Sequence, residues 1–350
     1  MLVKNTRDQS DSPRLFKTDA GRPMGLLKQC PVYQPTILSQ QPDLAGQLGI
    51  DTLYIKDESS RMRLGSFKAL GGAFAVAQMI SDAAETTDLE SREAKLAARD
   101  MTFVTASAGN HGLSVAAGAR VFGARAVIYL SSTVPEGFAN RIRALNADVV
   151  RVDGSYEDSV EAAKHGAVEN NWLLLADGSW PGYIERPALV MEGYTVIAEE
   201  CRQVFEKSGT WPTHVVLQAG VGGLAAAMAG HIRDYWPTQP HITVVEPDAA
   251  PCLMQSIQAH DLTHVEGPVS NMGRLDCKDA SLIAFQSLQK DADDFVLISD
   301  SEASIATSDL AGQGIHTTPS GAAAFAALRK IERDAASRCL VIVTEGPEEG

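Results

Sequence analysis

No apolar run in the chain reaches the roughly 18 residues needed to span a bilayer, and no basic block relieves a formal net charge of −14. The first absence excludes a membrane-spanning helix. The second argues against nucleic acid or an anionic membrane surface as a partner, because both call for clustered Lys and Arg. The N-terminus carries charges where a signal peptide needs its hydrophobic stretch, so a cytoplasmic location is expected. Cysteine is scarce and scattered: five residues, at 30, 201, 252, 277 and 339, with no Cys-x-x-Cys spacing. Such a pattern supports neither a disulfide framework nor a zinc site, and no metal is expected; reduced thiols acting as small buried residues account for it. Tandem repeats of about 20 to 50 residues are missing too, as is any low-complexity linker.

What remains is a chain of 350 residues, 45% hydrophobic and 21% charged. It is long enough for one large domain or two. Short β-rich runs alternate with longer helical patterns, the signature of a parallel sheet covered by helices. Strands are expected at 53–56, 102–105, 126–130, 149–152, 214–218, 242–246 and 339–343. Ala-rich helices are expected at 69–82, 112–122, 137–146, 156–169, 187–206, 223–234 and 321–335, and the polar stretch 82–100 reads as a helix with a solvated face. The fold class is therefore α/β and doubly wound.

Such folds keep their chemistry just past the carboxyl ends of strands. The loop Thr105-Ala106-Ser107-Ala108-Gly109-Asn110-His111-Gly112 follows a strand and opens a helix, offering backbone N–H groups and a positive dipole end to an anion. Ser107 and Asn110 could equally be plain caps and His111 a core residue. Gln218-Ala219-Gly220-Val221-Gly222-Gly223-Leu224 also joins strand to helix, and its glycines allow a nest of amides around a phosphate. The Gly-x-Gly-x-x-Gly spacing of a dinucleotide site and the Gly-Lys-Ser/Thr of a triphosphate site are both absent, so a monophosphate fits better. Thr344-Glu345-Gly346 brings a hydroxyl to the same strand-end face, and Asp177-Gly178-Ser179-Trp180-Pro181-Gly182-Tyr183 reads as a turn-rich loop or lid. Lys68, in Gly65-Ser66-Phe67-Lys68-Ala69-Leu70-Gly71-Gly72, has the glycines and the aromatic neighbour of a desolvated amine whose pKa is expected to be depressed.

In that order along the chain, amine, carboxylate loop, phosphate loop and strand-end hydroxyl resemble the pyridoxal-phosphate enzymes of the tryptophan synthase β-subunit group, fold type II, over about residues 33–346. Ser66-Phe67-Lys68 is similar to the Schiff-base segment, Ser107 to His111 to the substrate-carboxylate loop and Gly220 to Leu224 to the phosphate loop. Pro319-Ser320-Gly321 is similar to a late small-residue segment, and Thr344 to the partner of the pyridine nitrogen. Within the group the sequence resembles the diaminopropionate ammonia-lyases through Lys56-Asp57-Glu58-Ser59, Asn110-His111-Gly112, Met191-Glu192-Gly193-Tyr194-Thr195 and Thr344-Glu345-Gly346. It departs from them at Ala108, where those lyases carry an aspartate; the Ser-Ala-Gly-Asn-His form resembles serine and threonine dehydratases.

The resemblance implies two doubly wound domains with mostly parallel sheets: a large cofactor-binding one from 1–64 and 180–350, and a smaller mobile one from 65–179. It implies pyridoxal 5'-phosphate held by Phe67, Lys68, Asn110, Gly220, Val221, Gly222, Gly223, Leu224 and Thr344, with Lys68 as the internal aldimine. Substrate would meet Ser107, Ala108, Gly109, Asn110, His111 and Tyr183, with Lys68 and Asp177 catalytic. The implied reaction is β-elimination from 2,3-diaminopropionate, through an aminoacrylate, to pyruvate and two ammonia, in a homodimer acting on a small amino acid. A serine, threonine or 3-hydroxyaspartate dehydratase stays open, as do a nucleotide-dependent oxidoreductase, drawing only on the Gly220 loop, and a non-catalytic cofactor-binding protein.

Overall fold

The computed structural model describes residues 1–7, 13–107 and 109–347. Two sheets organise them. The larger has seven strands in the order Leu2–Lys4, Asp294–Ile298, His241–Pro247, His214–Gln218, Arg338–Val343, Thr52–Asp57 and Ile37–Gln40. Its interior pairings are parallel, and both outermost strands pair antiparallel. The smaller sheet is wholly parallel, in the order Asp148–Val152, Arg125–Ser131, Thr102–Ala106 and Leu173–Leu174. Runs such as Cys339-Leu340-Val341-Ile342-Val343 are buried along their length, as parallel strands covered on both faces must be.

In each sheet the chain reverses direction about one strand. After His214–Gln218 it moves to His241–Pro247 on one side and later returns to Arg338–Val343 on the other. Thr102–Ala106 lies likewise between Arg125–Ser131 and Leu173–Leu174. Such reversals open a crevice at the strands' carboxyl ends. The chain leaves these two strands at Ser107 and at Ala219.

Every expected strand is present, each within a residue or two of the anticipated bounds. The strands 2–4, 37–40, 173–174 and 294–298, and the helices Gly21–Leu27, Pro42–Leu48, Cys252–Ala259, Leu282–Asp291 and Asp300–Gly312, were not expected. The polar stretch 82–100 is not one helix: Lys68–Ala84 stops at Glu85, in the left-handed region at φ 51°, and Arg92–Asp100 restarts from the Ser91 side chain, which accepts from Ala94 N–H. The last expected helix ends at Ala327 rather than 335, because Arg333 turns the chain back by donating to Leu328 O and Leu48 O, both at 2.6 Å.

Helix Lys68–Ala84 is pressed against helix Glu185–Ser208. A Cβ on Gly71 would fall 2.4 Å from the Tyr194 ring, and one on Gly193 2.7 Å from Leu70 O. These two glycines set the close crossing. No helix among the described residues is long and apolar enough to cross a membrane.

Candidate active site

The lysine segment is stitched to the end of strand Arg338–Val343. Ser66 bridges Glu345, Phe67 N–H donates to Thr344 O at 3.0 Å, and Gly346 N–H donates to Gly65 O at 2.9 Å. Upstream, the turn Arg61–Arg63 runs through two non-glycine residues of positive φ, Met62 at 49° and Arg63 at 60°, a conformation costing roughly 1 to 3 kcal/mol each. Arg61 holds it. Its buried guanidinium donates to Glu58, Glu200, Gln34 O and Thr36, while Lys56 closes the network onto Glu200 at 2.6 Å and Thr36 O at 2.8 Å.

Lys68 is the first residue of its helix, and its ammonium forms a hydrogen-bonded ion pair with Asp177. The two side chains are 21% and 27% exposed, open to a cavity rather than to bulk water. Burial works against the Lys68 charge, but the Asp177 carboxylate outweighs it, and the amine titrates above the ordinary lysine range. Burial likewise pushes Asp177 up, and Lys68 reverses that to hold it below the usual carboxylate range. The depressed lysine pKa expected from the dry setting is thus overturned by its ion pair. The ammonium lies 5.4 Å and 5.9 Å from the ring centroids of Phe67 and Tyr194, which pack edge-on to each other at 4.9 Å.

His111 stands beside this pair. Its Nε2 is 2.8 Å from Leu175 O; a carbonyl only accepts, so Nε2 carries the proton and Nδ1 is a bare lone pair. Nδ1 is buried without a partner among the described residues. Burial keeps the ring neutral by lowering its pKa; Asp177 pulls upward and Lys68 downward.

Around these groups is a cavity of about 460 Å³. One wall is the loop with Ser107, Gly109, Asn110 and His111; Ser107 Oγ accepts from Gly109 N–H at 3.3 Å. Ala108 lies outside the described residues. The opposite wall is Gly220, Val221, Gly222, Gly223 and Leu224 at the start of helix Gly223–Tyr235, whose first turn has no acidic residue. Gly222 has φ 99°, and a Cβ on Gly220 would come 2.9 Å from Cys277 Sγ. The glycine backbone at 220, 222 and 223 therefore reaches the cavity with no side chain of its own, a cradle suited to a phosphate. Thr344 lines it too, its Oγ accepting from Gln218 Nε2 at 3.3 Å, which leaves the hydroxyl proton to be given elsewhere.

Apart from Ala108, the structure brings together every expected site residue but Tyr183. The Tyr183 hydroxyl donates to Leu174 O at 2.8 Å and accepts from Ala176 N–H at 3.1 Å, with the ring stacked on Trp180; it braces the segment carrying Asp177. Glu192 is similarly engaged, with Arg22. Sequence reasoning gave no role to Glu345 and did not find Arg274, Tyr156, Glu157 and Cys277, which also line the cavity. Glu345 accepts from Asn110 Nδ2 and Thr318 Oγ1 and sits 3.8 Å from Arg274 Nε. Its place in Thr344-Glu345-Gly346 was a usable signal; the others come from segments without a strand-end signature.

Comparison with known proteins agrees with this geometry. The family model described as "Pyridoxal-phosphate dependent enzyme" matches residues 30–345. Diaminopropionate ammonia-lyase of Escherichia coli (strain K12) is 35% identical over 279 residues, 78% of this chain and 70% of that protein. A probable D-serine dehydratase of Acidovorax ebreus is 28% identical over 234 residues, 62% of this chain and 51% of that one. The crystal structure of the Escherichia coli ammonia lyase in complex with an aminoacrylate-PLP azomethine reaction intermediate superposes with a TM-score of 0.87 at 30% identity, covering 99% of this chain and 93% of that one. With an amine, a phosphate cradle and a strand-end hydroxyl around one cavity, this chain belongs to the fold type II family of pyridoxal-phosphate-dependent enzymes that includes diaminopropionate ammonia-lyase.

Proposed function

We propose that the protein is an ammonia-lyase that catalyses β-elimination from 2,3-diaminopropionate to give pyruvate and two ammonia. The observation that carries this reading is the Lys68–Asp177 pair, with the His111 lone pair beside it, open to a cavity between an amide cradle and a second amide-rich loop. Pyridoxal phosphate supplies the electron sink for the α-carbon when bound there. The Gly220–Leu224 amides would hold its phosphate, Phe67 and Asn110 would bind beside it, and the Thr344 hydroxyl would donate a hydrogen bond to the pyridine nitrogen while keeping its proton. A hydroxyl leaves that nitrogen uncharged, a weaker sink than a carboxylate partner creates, and this favours prompt loss of a β-substituent.

Ser107, Gly109, Asn110 and His111 receive the substrate carboxylate at a helix N-terminus. Held to the cofactor, Lys68 would carry no ammonium, so Asp177 could take up the proton of the incoming substrate ammonium, and the displaced neutral Lys68 amine would remove the α-proton. Asp177 is then the acid that protonates the departing nitrogen, so the pair returns to its starting state. Residues 65–179, which hold the whole four-stranded sheet and the carboxylate loop, form the mobile domain that closes over 1–64 and 180–350 and excludes water. The enzyme works as a cytoplasmic homodimer.

Product stoichiometry tests the reading. Two ammonia per pyruvate from 2,3-diaminopropionate are expected. One ammonia per oxo acid from serine, threonine or 3-hydroxyaspartate, with no turnover of diaminopropionate, overturns it in favour of a dehydratase.

A further inference from the structure

A second cavity, of about 350 Å³, adjoins the first and shares Asn110, Arg274 and Glu345 with it as a common wall. Its charge runs against that of the chain. Overall there are 30 Lys and Arg to 44 Asp and Glu, yet among the described residues this cavity is lined by Arg63, Arg141 and Arg274 against one carboxylate, that of Glu345. Glu345 is already engaged by Asn110 and Thr318 inside the common wall. Neither Arg63 nor Arg141 has a side-chain hydrogen bond or ion pair among the described residues. Arg63 stands on the left-handed turn anchored by buried Arg61, and Arg141 comes from helix Glu136–Arg143 across the opening.

Guanidinium groups held on ordered backbone without an acidic partner are a receptor for carboxylate, which they bind with paired, charge-assisted hydrogen bonds. Because the two cavities meet at Asn110, Arg274 and Glu345, such a carboxylate can belong to a molecule whose α-carbon sits at Lys68. We propose that Arg63 and Arg141, with Arg274 at the shared wall, form a subsite for an acidic group on the β-nitrogen of the substrate, so that the enzyme acts on 2,3-diaminopropionates N-substituted with a carboxylate-bearing arm. This rests on the β-elimination reading above and names the substrate class of the same site.

The reaction balances without any further reagent. The α-proton goes to Lys68, the β-carbon–nitrogen bond breaks with its electron pair leaving on nitrogen, and that nitrogen takes a proton and departs as a primary amine. Water then hydrolyses the three-carbon enamine. For 3-(carboxymethylamino)alanine the products are glycine, pyruvate and one ammonia.

The test compares 3-(carboxymethylamino)alanine, uncharged-arm 3-(ethylamino)alanine and 2,3-diaminopropionate with the cofactor-loaded enzyme, reading pyruvate by a coupled dehydrogenase. The carboxylate arm should raise kcat/KM over the ethyl arm at least about tenfold, the scale of one charge-assisted hydrogen bond. The Arg63→Asn, Arg141→Gln double variant should remove that advantage; asparagine tolerates positive φ, and Arg141→Lys should restore part of it. Calorimetric titration with unreactive 3-(carboxymethylamino)propionate should show a Kd at least about tenfold weaker in the double variant. Equal turnover of both arms by the wild type, or equal losses on both in the variant, would overturn the subsite. Turnover of diaminopropionate alone sinks this inference and leaves the lyase standing, whereas no pyruvate from any of the three sinks the lyase itself.

Discussion

Lys56 and Lys68 each face a carboxylate, yet one pair is sealed and the other is open. The Lys56 and Glu200 side chains are 1% and 3% exposed, and with Arg61 and Glu58 they form a neutral cluster in which every charge has several partners. Lys68 and Asp177 have each other, a cavity, the Tyr194 hydroxyl and a neighbour, His111 Nδ1, that has no partner among the described residues. Buried ions persist only when paired and hydrogen-bonded, so saturation is what a structural cluster needs and what a reactive pair must forgo. Glu246 is a third case. It accepts backbone N–H groups from Leu253 and Met254 at 2.7 and 2.8 Å, with the Cys252 thiol beside them, and burial pushes it up to about 8.

Lys68→Ala tests the open side of this contrast with the largest expected effect. Turnover should fall at least about 10³-fold, and the borohydride-sensitive visible band acquired with pyridoxal phosphate should vanish, while the urea midpoint barely moves. Asp177→Asn should lower kcat about 10²-fold or more with cofactor uptake retained. A variant of either residue that unfolds readily would place the pair with the structural cluster instead.

Arg61→Met attacks the sealed cluster. It removes the cation bonded to Glu58, leaves Glu200 with Lys56 as its cation, and should cost about 3 to 5 kcal/mol of stability, read from urea unfolding. Normal stability with lost turnover would break the distinction from the other direction.

For Glu246 the folded pKa is raised, from about 4.5 to about 8. The stability linked to its protonated form is fully present below about pH 4.5 and is lost as pH rises through about 8. Relative to Glu246→Gln, the wild type should therefore lose a few kcal/mol across that window. A flat difference would show that the two backbone donors suffice to hold the anion. Tyr183→Phe should have the smallest effect, about 1 to 2 kcal/mol of stability with KM little changed; a large rise in KM would return Tyr183 to the substrate.

Much of the site was legible because its parts are local. A strand followed by Gly-Val-Gly-Gly and a helix makes an amide nest wherever the chain runs, and Ser107 to Gly112 announces itself similarly. The strand Asp294–Ile298 was not expected; it follows Asp291 and Asp293, whose charges are met from elsewhere in the chain, Asp291 by Arg14 and Asp293 by Arg233. Arg274 escaped because nothing near it in the chain reports that residues 273–277 cross the glycine loop, where Arg274 O would lie 3.1 Å from a Cβ on Gly220.

The sequence by itself determined the alternating strands and helices, the glycine-bearing turns and the order of the anion loops, since these follow from backbone sterics and hydrophobic period within a few residues. Only the tertiary structure decided the charges. Lys68 meets Asp177 across 109 positions, and that contact reverses the direction in which burial alone would move both groups. Arg63, Arg141 and Arg274 converge on one cavity from three separate segments of the chain. Electrostatic energy depends on distance and surroundings in space, and neither is written in the spacing along the chain.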